Sequence, residues 1–312
     1  MRRRRRARPR LPACSSSSSR PGSASSTARA RAWASPAQRA PSPAGRTGAA
    51  PAPHPRDPPL RSPSTPANTR SGRKVLVTGG SRGIGAAIAR ELASRGADVA
   101  INFVRSRDAA DKLVADLKSS GREAAAIQGD VAAPADRKRI VVEAAKALGG
   151  LDAVVNNAGI FEPQPIAETP DADIERMFAT HVFATLSITR ESLKHLPKNR
   201  GRIVNLSSVL ARGAMPAFTP YIAAKAAIEA ATKSLAAELG PQGITVNAVA
   251  PGLTDTDMAP KDEDFRTNFI SQTPLGRLGQ SEDIARVVAF LLSDDAAWIT
   301  GQTIDAAGGL RA

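Results

Sequence analysis

The sequence predicts an α/β domain, a doubly wound parallel sheet of about seven strands with helices on both faces. Three observations carry this. Short apolar runs alternate with amphipathic helical stretches from residue 74 onward. A glycine-rich turn follows the first of those runs. The composition changes abruptly near residue 70, which sets a single domain at 71–312 behind a tail at 1–70.

The elements follow in order. KVLVTGG (74–80) reads as a short buried strand running into glycines, and SRGIGAAIARELASRG (81–96) as an amphipathic helix closed by Gly96. ADVAINF (97–103) is a second strand, and SRDAADKLVADLKSSG (106–121) a helix with Gly121 just past its end. EAAAIQGDV (123–131) is a third strand. PADRKRIVVEAAKALGG (134–150) opens on proline and closes on glycines, the usual asymmetry of a helix. LDAVVNNAG (151–159) is a fourth strand, 171–196 is helical, RIVNLSS (202–208) is a strand and 221–239 is helical. ITVNAVAPG (244–252), the helix at 281–292 and QTIDAAGG (302–309) complete the alternation. Such folds bind ligands beyond the carboxyl ends of their strands, where strand order reverses. The loops of interest are therefore 79–85, 103–107, 129–132, 156–160, 208–219 and 251–260.

Residues 1–70 hold 15 Arg, no Lys, a single acid (Asp57) and 13 of the 24 Pro. They contain no Val, Ile, Phe or Tyr. Such a segment cannot bury enough apolar surface to offset its ordering entropy, so disorder is expected. The rest carries 28 bases (43 less 15) against 28 acids (29 less 1), so the formal +14 belongs to the tail. A basic tail holds polyanions without specificity, and no specific nucleic-acid binding is expected of the domain. The tail reads as an organelle transit peptide, as an upstream stretch translated from an early start codon, or as a basic arm. The first goes with plastid or mitochondrion, the second with cytoplasm. It has no apolar run long enough for a signal peptide or a membrane span, so a soluble intracellular protein is expected. Cys14 is the sole cysteine, which rules out an intrachain disulfide. His54, His181, His195 and Cys14 show no metal-ligand spacing, and no metal is expected.

TGGSRGIG (78–85) sets glycines between a strand and a helix. A pyrophosphate needs close backbone approach, free N–H groups and a positive helix N-terminus. An ordinary glycine turn is the plain alternative, but strand before and helix after are the context a dinucleotide requires. Gly79, Ser81, Arg82, Gly83, Ile84 and Gly85 are expected there. An NAD site usually offers an acid to the ribose 2′-OH at the end of the second strand. NFVRS has none; Arg105 and Ser106 stand there, with Arg82 in the glycine loop. Two guanidiniums suit a 2′-phosphate, so NADPH/NADP is expected over NADH. Exposed surface arginines are the plain alternative, and Asp108 is assigned to the next helix's N-terminus.

TGGSRGIG, NNAG (156–159), Ser208 thirteen residues before Tyr221, Y-x-x-x-K (221–225) and PG (251–252) resemble the short-chain dehydrogenase/reductase family in order and spacing. The resemblance covers essentially all of 71–312. INFVRSRDAADKL and LLSDDAAWITGQTIDAAGG are most similar to the 3-oxoacyl-acyl-carrier-protein reductase type. It implies a Rossmann-type domain that reduces a carbonyl to an alcohol with NADPH. Tyr221, the chain's one tyrosine, shares a helix face with Lys225. A phenol of pKa about 10 is a poor proton donor and acceptor. A neighbouring ammonium is expected to lower that pKa, so that Tyr221 serves as general acid in reduction and base in oxidation. Lys225 would also hydrogen-bond the nicotinamide ribose. Ser208 would donate to the carbonyl oxygen, with capping of its loop as the plain alternative and Ser207 as rival. Asp130 and Val131 would hold adenine. Asn157, Ala158 and Gly159 would line the ribose side, and Pro251, Gly252, Thr254 and Thr256 the nicotinamide. A helix cap for Asp130 and turn formation for the NAG and PG segments compete.

The family places Asn where FATHVFA puts His181. That Asn helps hold a water linking Lys to solvent, partly through a backbone carbonyl that His retains. An imidazole with its ordinary pKa of about 6.5 suits a proton shuttle, so His181 joins the catalytic candidates beside a packing reading. A 3-oxoacyl thioester is the first substrate class, and aldehydes, ketones or sugars follow. An NADP-binding protein without catalysis and a polyanion-binding protein acting through the tail are the other classes. Residues 211–219 and 253–265 are expected to border the substrate, with Met215, Phe218 and Met258 as apolar contacts and the second segment a mobile lid. Arg176 and Arg212 are candidates for a basic patch that meets an acidic carrier protein. The resemblance further implies a homotetramer or homodimer built partly on the helix at 221–239.

Overall fold

A computed structural model describes residues 72–310. The expectations for the tail at 1–70 lie outside the described residues. Seven parallel strands form one sheet in the order β3-β2-β1-β4-β5-β6-β7. They are β1 (Lys74–Val77), β2 (Asp98–Phe103), β3 (Ala124–Gln128), β4 (Ala153–Asn156), β5 (Arg202–Leu206), β6 (Thr245–Pro251) and β7 (Thr303–Ala306). Five are short, almost wholly buried and mainly apolar, as strands covered on both faces must be. The order runs one way from β1 to β3 and the other from β4 to β7. The crevice beyond the C-terminal ends of β1 and β4 is therefore the switch point.

One face is covered by α1 (Gly83–Ser94), α2 (Arg107–Ser119) and α8 (Ser281–Leu291), whose Ile88, Leu113 and Val288 bury against Val77, Ile101 and Val249. On the other face lie α3 (Pro134–Leu148), α5 (Ala184–Ser192) and α6 (Thr219–Leu239). Ile140, Ile188 and Leu239 close on Leu76, Val154 and Ile203 there. Proline in its first turn and Gly149 in the left-handed region bound α3, as the sequence indicates.

Two elements depart from the sequence reading. The expected helix at 171–196 is α4 (Asp171–Phe178), then a π-helical turn at Ala179–Phe183, then α5. The segment expected to be a mobile lid, 253–265, runs into a helix the sequence reading did not include, α7 (Glu263–Gln272). Asp262 caps it by accepting from the Phe265 N–H at 2.7 Å, and Phe265 and Phe269 stack at 4.7 Å. Among the described residues, no helix is long and apolar enough to cross a membrane. None of their His, Cys, Asp and Glu form a group of three or more suited to a metal ion.

Candidate active site

A cavity of about 420 Å³ opens along the C-terminal ends of the strands, and every residue expected to bind cofactor or catalyse lies on its wall. At the β1 end the backbone itself is the surface. Any Cβ at Gly85 would sit 2.3 Å from the Gly79 carbonyl oxygen and 2.6 Å from Asn157 Nδ2, so strand turn and helix start touch directly. Gly83 takes a φ of +53°, and a Cβ there would point toward Thr256 at 3.7 Å across the cavity. Helix α1 has no side-chain cap and no acid in its first turn, which leaves its first N–H groups and its positive end for an anion. Arg82 and Arg105 stand exposed on the same wall with Ser106. Bare backbone, helix N-terminus and two guanidiniums fit the pyrophosphate and 2′-phosphate of NADPH.

Sequence reasoning missed three struts behind this wall. The Thr78 hydroxyl accepts from the N–H groups of Asn157 and Ala158 at 3.0 and 3.1 Å. Asn157 Nδ2 donates back to the Thr78 carbonyl at 2.9 Å. The buried Asn102 side chain accepts from the Gly79 N–H at 3.4 Å and donates to the carbonyls of Ile127 and Gly129. The signal for Thr78 and Asn102 was a polar residue inside an otherwise apolar strand. Asp130 lies on the wall, and its carboxylate accepts from the Ala132 N–H at 2.8 Å in a turn ahead of α3, whose N-cap, Ala133, has no side-chain cap.

The other end carries Ser208, Tyr221 and Lys225. Tyr221 and Lys225 share a face of α6, with Nζ 5.7 Å from the ring centroid. Lys225 Nζ donates to the Leu206 carbonyl at 2.7 Å. Ser208 follows β5, and its hydroxyl accepts from the Leu210 N–H at 3.3 Å. Its neighbour Ser207 points away, donating to Glu229 at 3.1 Å and to the Lys225 carbonyl at 3.3 Å. Alternation along the strand end thus puts Ser208 beside Tyr221 and Ser207 behind it.

The charge states differ from expectation. Tyr221 does not have a lowered pKa. Burial pushes its phenol up, and only the Ser208 hydroxyl pulls the other way. Burial likewise pushes Lys225 down to about 7. A low-dielectric pocket disfavours both charged forms, and this outweighs the help each gives the other. His181 departs further. It is 3 % exposed, and burial, aided by the Lys225 charge, pushes it down to about 3. The ordinary imidazole value that suited a shuttle does not hold in this fold. Its Nε2 lies 2.8 Å from the Ile160 carbonyl oxygen and 3.2 Å from the Ile160 nitrogen. The ring lies against Gly159 and stands edge-on to Tyr221 at 5.7 Å.

Aromatic rings wall the substrate side. Phe161 stands edge-on to Tyr221 at 5.1 Å and tilted on Phe218 at 5.0 Å. Phe265, Phe269 and Met258 line the opposite side, while Met215 packs behind it. Arg176 and Arg212 do not join in a patch. Arg176 is held by Glu162 and Asp173, and Arg212 by Asp305 and Glu229.

A family profile described as Enoyl-(Acyl carrier protein) reductase matches residues 79–311. A 3-oxoacyl-[acyl-carrier-protein] reductase of Staphylococcus aureus is 39% identical over 240 residues, 76% of this chain and 98% of that protein. A hydroxynaphthalene reductase of Aspergillus fumigatus is 39% identical over 246 residues, 74% of this chain and 90% of that protein. The crystal structure of a short chain dehydrogenase from Burkholderia cenocepacia in complex with NADP superposes with a TM-score of 0.76. It is 42% identical and covers 78% of this chain and 100% of that one. Sequence, fold and the cofactor wall agree: the chain belongs to the short-chain dehydrogenase/reductase family and is an NADP-dependent oxidoreductase.

Proposed function

We propose that the protein reduces a ketone or aldehyde carbonyl to an alcohol with NADPH, Tyr221 giving the proton. The convergence of Ser208, Tyr221 and Lys225 on an aromatic-walled cleft carries this reading. NADPH held at the glycine loop would supply a hydride. Ser208 donates a hydrogen bond to the carbonyl oxygen, where negative charge grows. The Tyr221 O–H bond breaks and its proton passes to that oxygen. Burial suits this direction, because it keeps the phenol in its acid form. Lys225, beside the ring and tied to the Leu206 carbonyl, holds Tyr221 in place and helps stabilise the phenolate left behind. His181 is a positioning residue: through Ile160 it fixes the chain that carries Phe161.

The relatives support a 3-oxoacyl thioester as the first substrate to try. The rings of Phe161 and Phe218 favour an aromatic or branched ketone as the second. The same proposal includes assembly into a dimer or tetramer, supported by Phe183 and Leu186, which stand 53% and 41% exposed around α5; light scattering of the purified chain decides it.

The test follows NADPH oxidation by the full chain against an acetoacetyl thioester, an aryl ketone, an aldehyde and an aldose. Turnover on one of them is expected, falling roughly 10³-fold in Tyr221→Phe with NADPH affinity kept. Tight NADPH binding with no turnover on any carbonyl favours the non-catalytic reading and ends this one.

A further inference from the structure

The two segments that frame the substrate end are rich in acids, and this bears on the form in which substrate arrives. One, 161–176, brings Phe161 and Arg176 to the cavity; the other, 253–266, brings Met258 and Phe265. Together they hold ten acids and three bases, in a domain whose acids and bases are equal in number overall. Each of the three bases is already engaged within the chain. Arg176 pairs with both Glu162 and Asp173. Arg266 pairs with Asp255 at 3.0 Å, and Lys261 donates to the Thr256 carbonyl at 3.3 Å.

Exposed charges act over a screening length of about 8–10 Å at physiological salt. A mouth with one dominant sign therefore raises or lowers the local concentration of a charged reactant. The NADPH end, with Arg82 and Arg105, attracts polyanions; the substrate end repels them. A thioester of coenzyme A or of an acidic carrier protein brings several negative charges to these segments. A free ketone brings none, and the rings behind them offer it an apolar wall.

We infer that the substrate is an uncharged carbonyl compound that arrives free, not as a thioester of coenzyme A or of an acidic carrier protein. The inference rests on the carbonyl-reductase reading and, within it, sets the free ketone above the carrier-bound thioester that the relatives support.

The experiment compares two thioesters with the same reacting carbonyl, acetoacetyl-coenzyme A and acetoacetyl-N-acetylcysteamine, beside acetophenone. The full chain is used at saturating NADPH. At low salt the uncharged thioester should be reduced with kcat/KM about 10-fold or more above the coenzyme A form. The gap should close as salt rises. The triple variant Asp171→Asn, Glu263→Gln, Asp264→Asn should narrow it without changing kcat/KM for the uncharged thioester. Coenzyme A thioester reduced equally well at low salt, or less well as salt rises, overturns the inference while leaving the reductase reading intact. Reduction of none of the three ends the reductase reading and the inference with it. The wild-type salt series decides the matter even if the triple variant folds poorly.

Discussion

The two ends of the cavity are built from different material. At the NADPH end the wall is backbone: Gly79, Gly83 and Gly85 bring the chain itself to the ligand, and the cations are Arg82 and Arg105. At the substrate end the wall is side chain, with Phe161, Phe218, Phe265 and Met258 framed by two acid-rich segments. A wall of backbone constrains residue type at its glycines: a Cβ at Gly79 or Gly85 would come within 2.9 Å or 2.3 Å of other backbone atoms, and Gly83 takes a positive φ. A wall of side chains constrains only size and polarity. One end is specific by construction; the other is open to revision.

Lys225→Met tests the boundary between them and has the largest expected effect. Activity should fall about 100-fold or more. Stability should move the other way. Lys225 binds its proton less tightly in the folded chain than in the unfolded one. Its burdening effect is therefore complete below pH 7 and fades as pH rises from about 7 toward 10.5. The depression corresponds to roughly 5 kcal/mol. Stranding the Leu206 carbonyl costs about 1–3 kcal/mol. The variant should therefore melt higher than wild type at pH 6, with the gain shrinking by pH 9. Calorimetry across that range reads it; a lower melting temperature at pH 6 would place the Lys225 charge in a better-solvated site than the fold indicates.

The NADPH end is sharpened by Arg82→Ser with Arg105→Ala. Loss of two guanidiniums from a phosphate should cut kcat/KM with NADPH by about 10–100-fold and leave NADH nearly unchanged. An equal fall for both cofactors would assign these arginines to folding instead. His181→Asn carries the smallest effect on rate. With His181 neutral down to about pH 3, the pH–rate profile between 6 and 9 should be unchanged within about twofold. Its folded pKa lies below the unfolded value, so wild-type stability falls as pH drops from about 6.5 toward 3, and the variant should resist acid better. A rate limb near pH 6.5 that vanishes in the variant would restore the shuttle.

The same contrast explains what was legible in the sequence. Glycines at 79, 83 and 85 and the pair Tyr221 and Lys225 could be read because spacing alone states their geometry. Phe161 could not, because nothing in NNAGIF says that its ring meets Tyr221. Helix α7 was hidden by acids at its start and by only three apolar side chains, of which Phe265 and Phe269 needed partners from elsewhere. The charge states of Tyr221, Lys225 and His181 were misjudged for one reason. Proximity in sequence shows a neighbour's charge, whereas burial, the larger influence, appears only when the chain is folded.

The π-helical turn at Ala179–Phe183 has a consequence for the phase of the long helical rod between β4 and β5. Such a turn holds one residue more than the regular helix would. Upstream, Met177 faces Ala224 and Tyr221 on α6; downstream, Ala184 and Ile188 face the core on α3. Each residue of an α-helix advances about 100° around the axis. The extra residue is therefore an angular offset between two docking faces, like a spacer that lets one shaft engage two gears. Deleting any one residue of 179–183 would align the rod with one partner and turn its other face about 100° away.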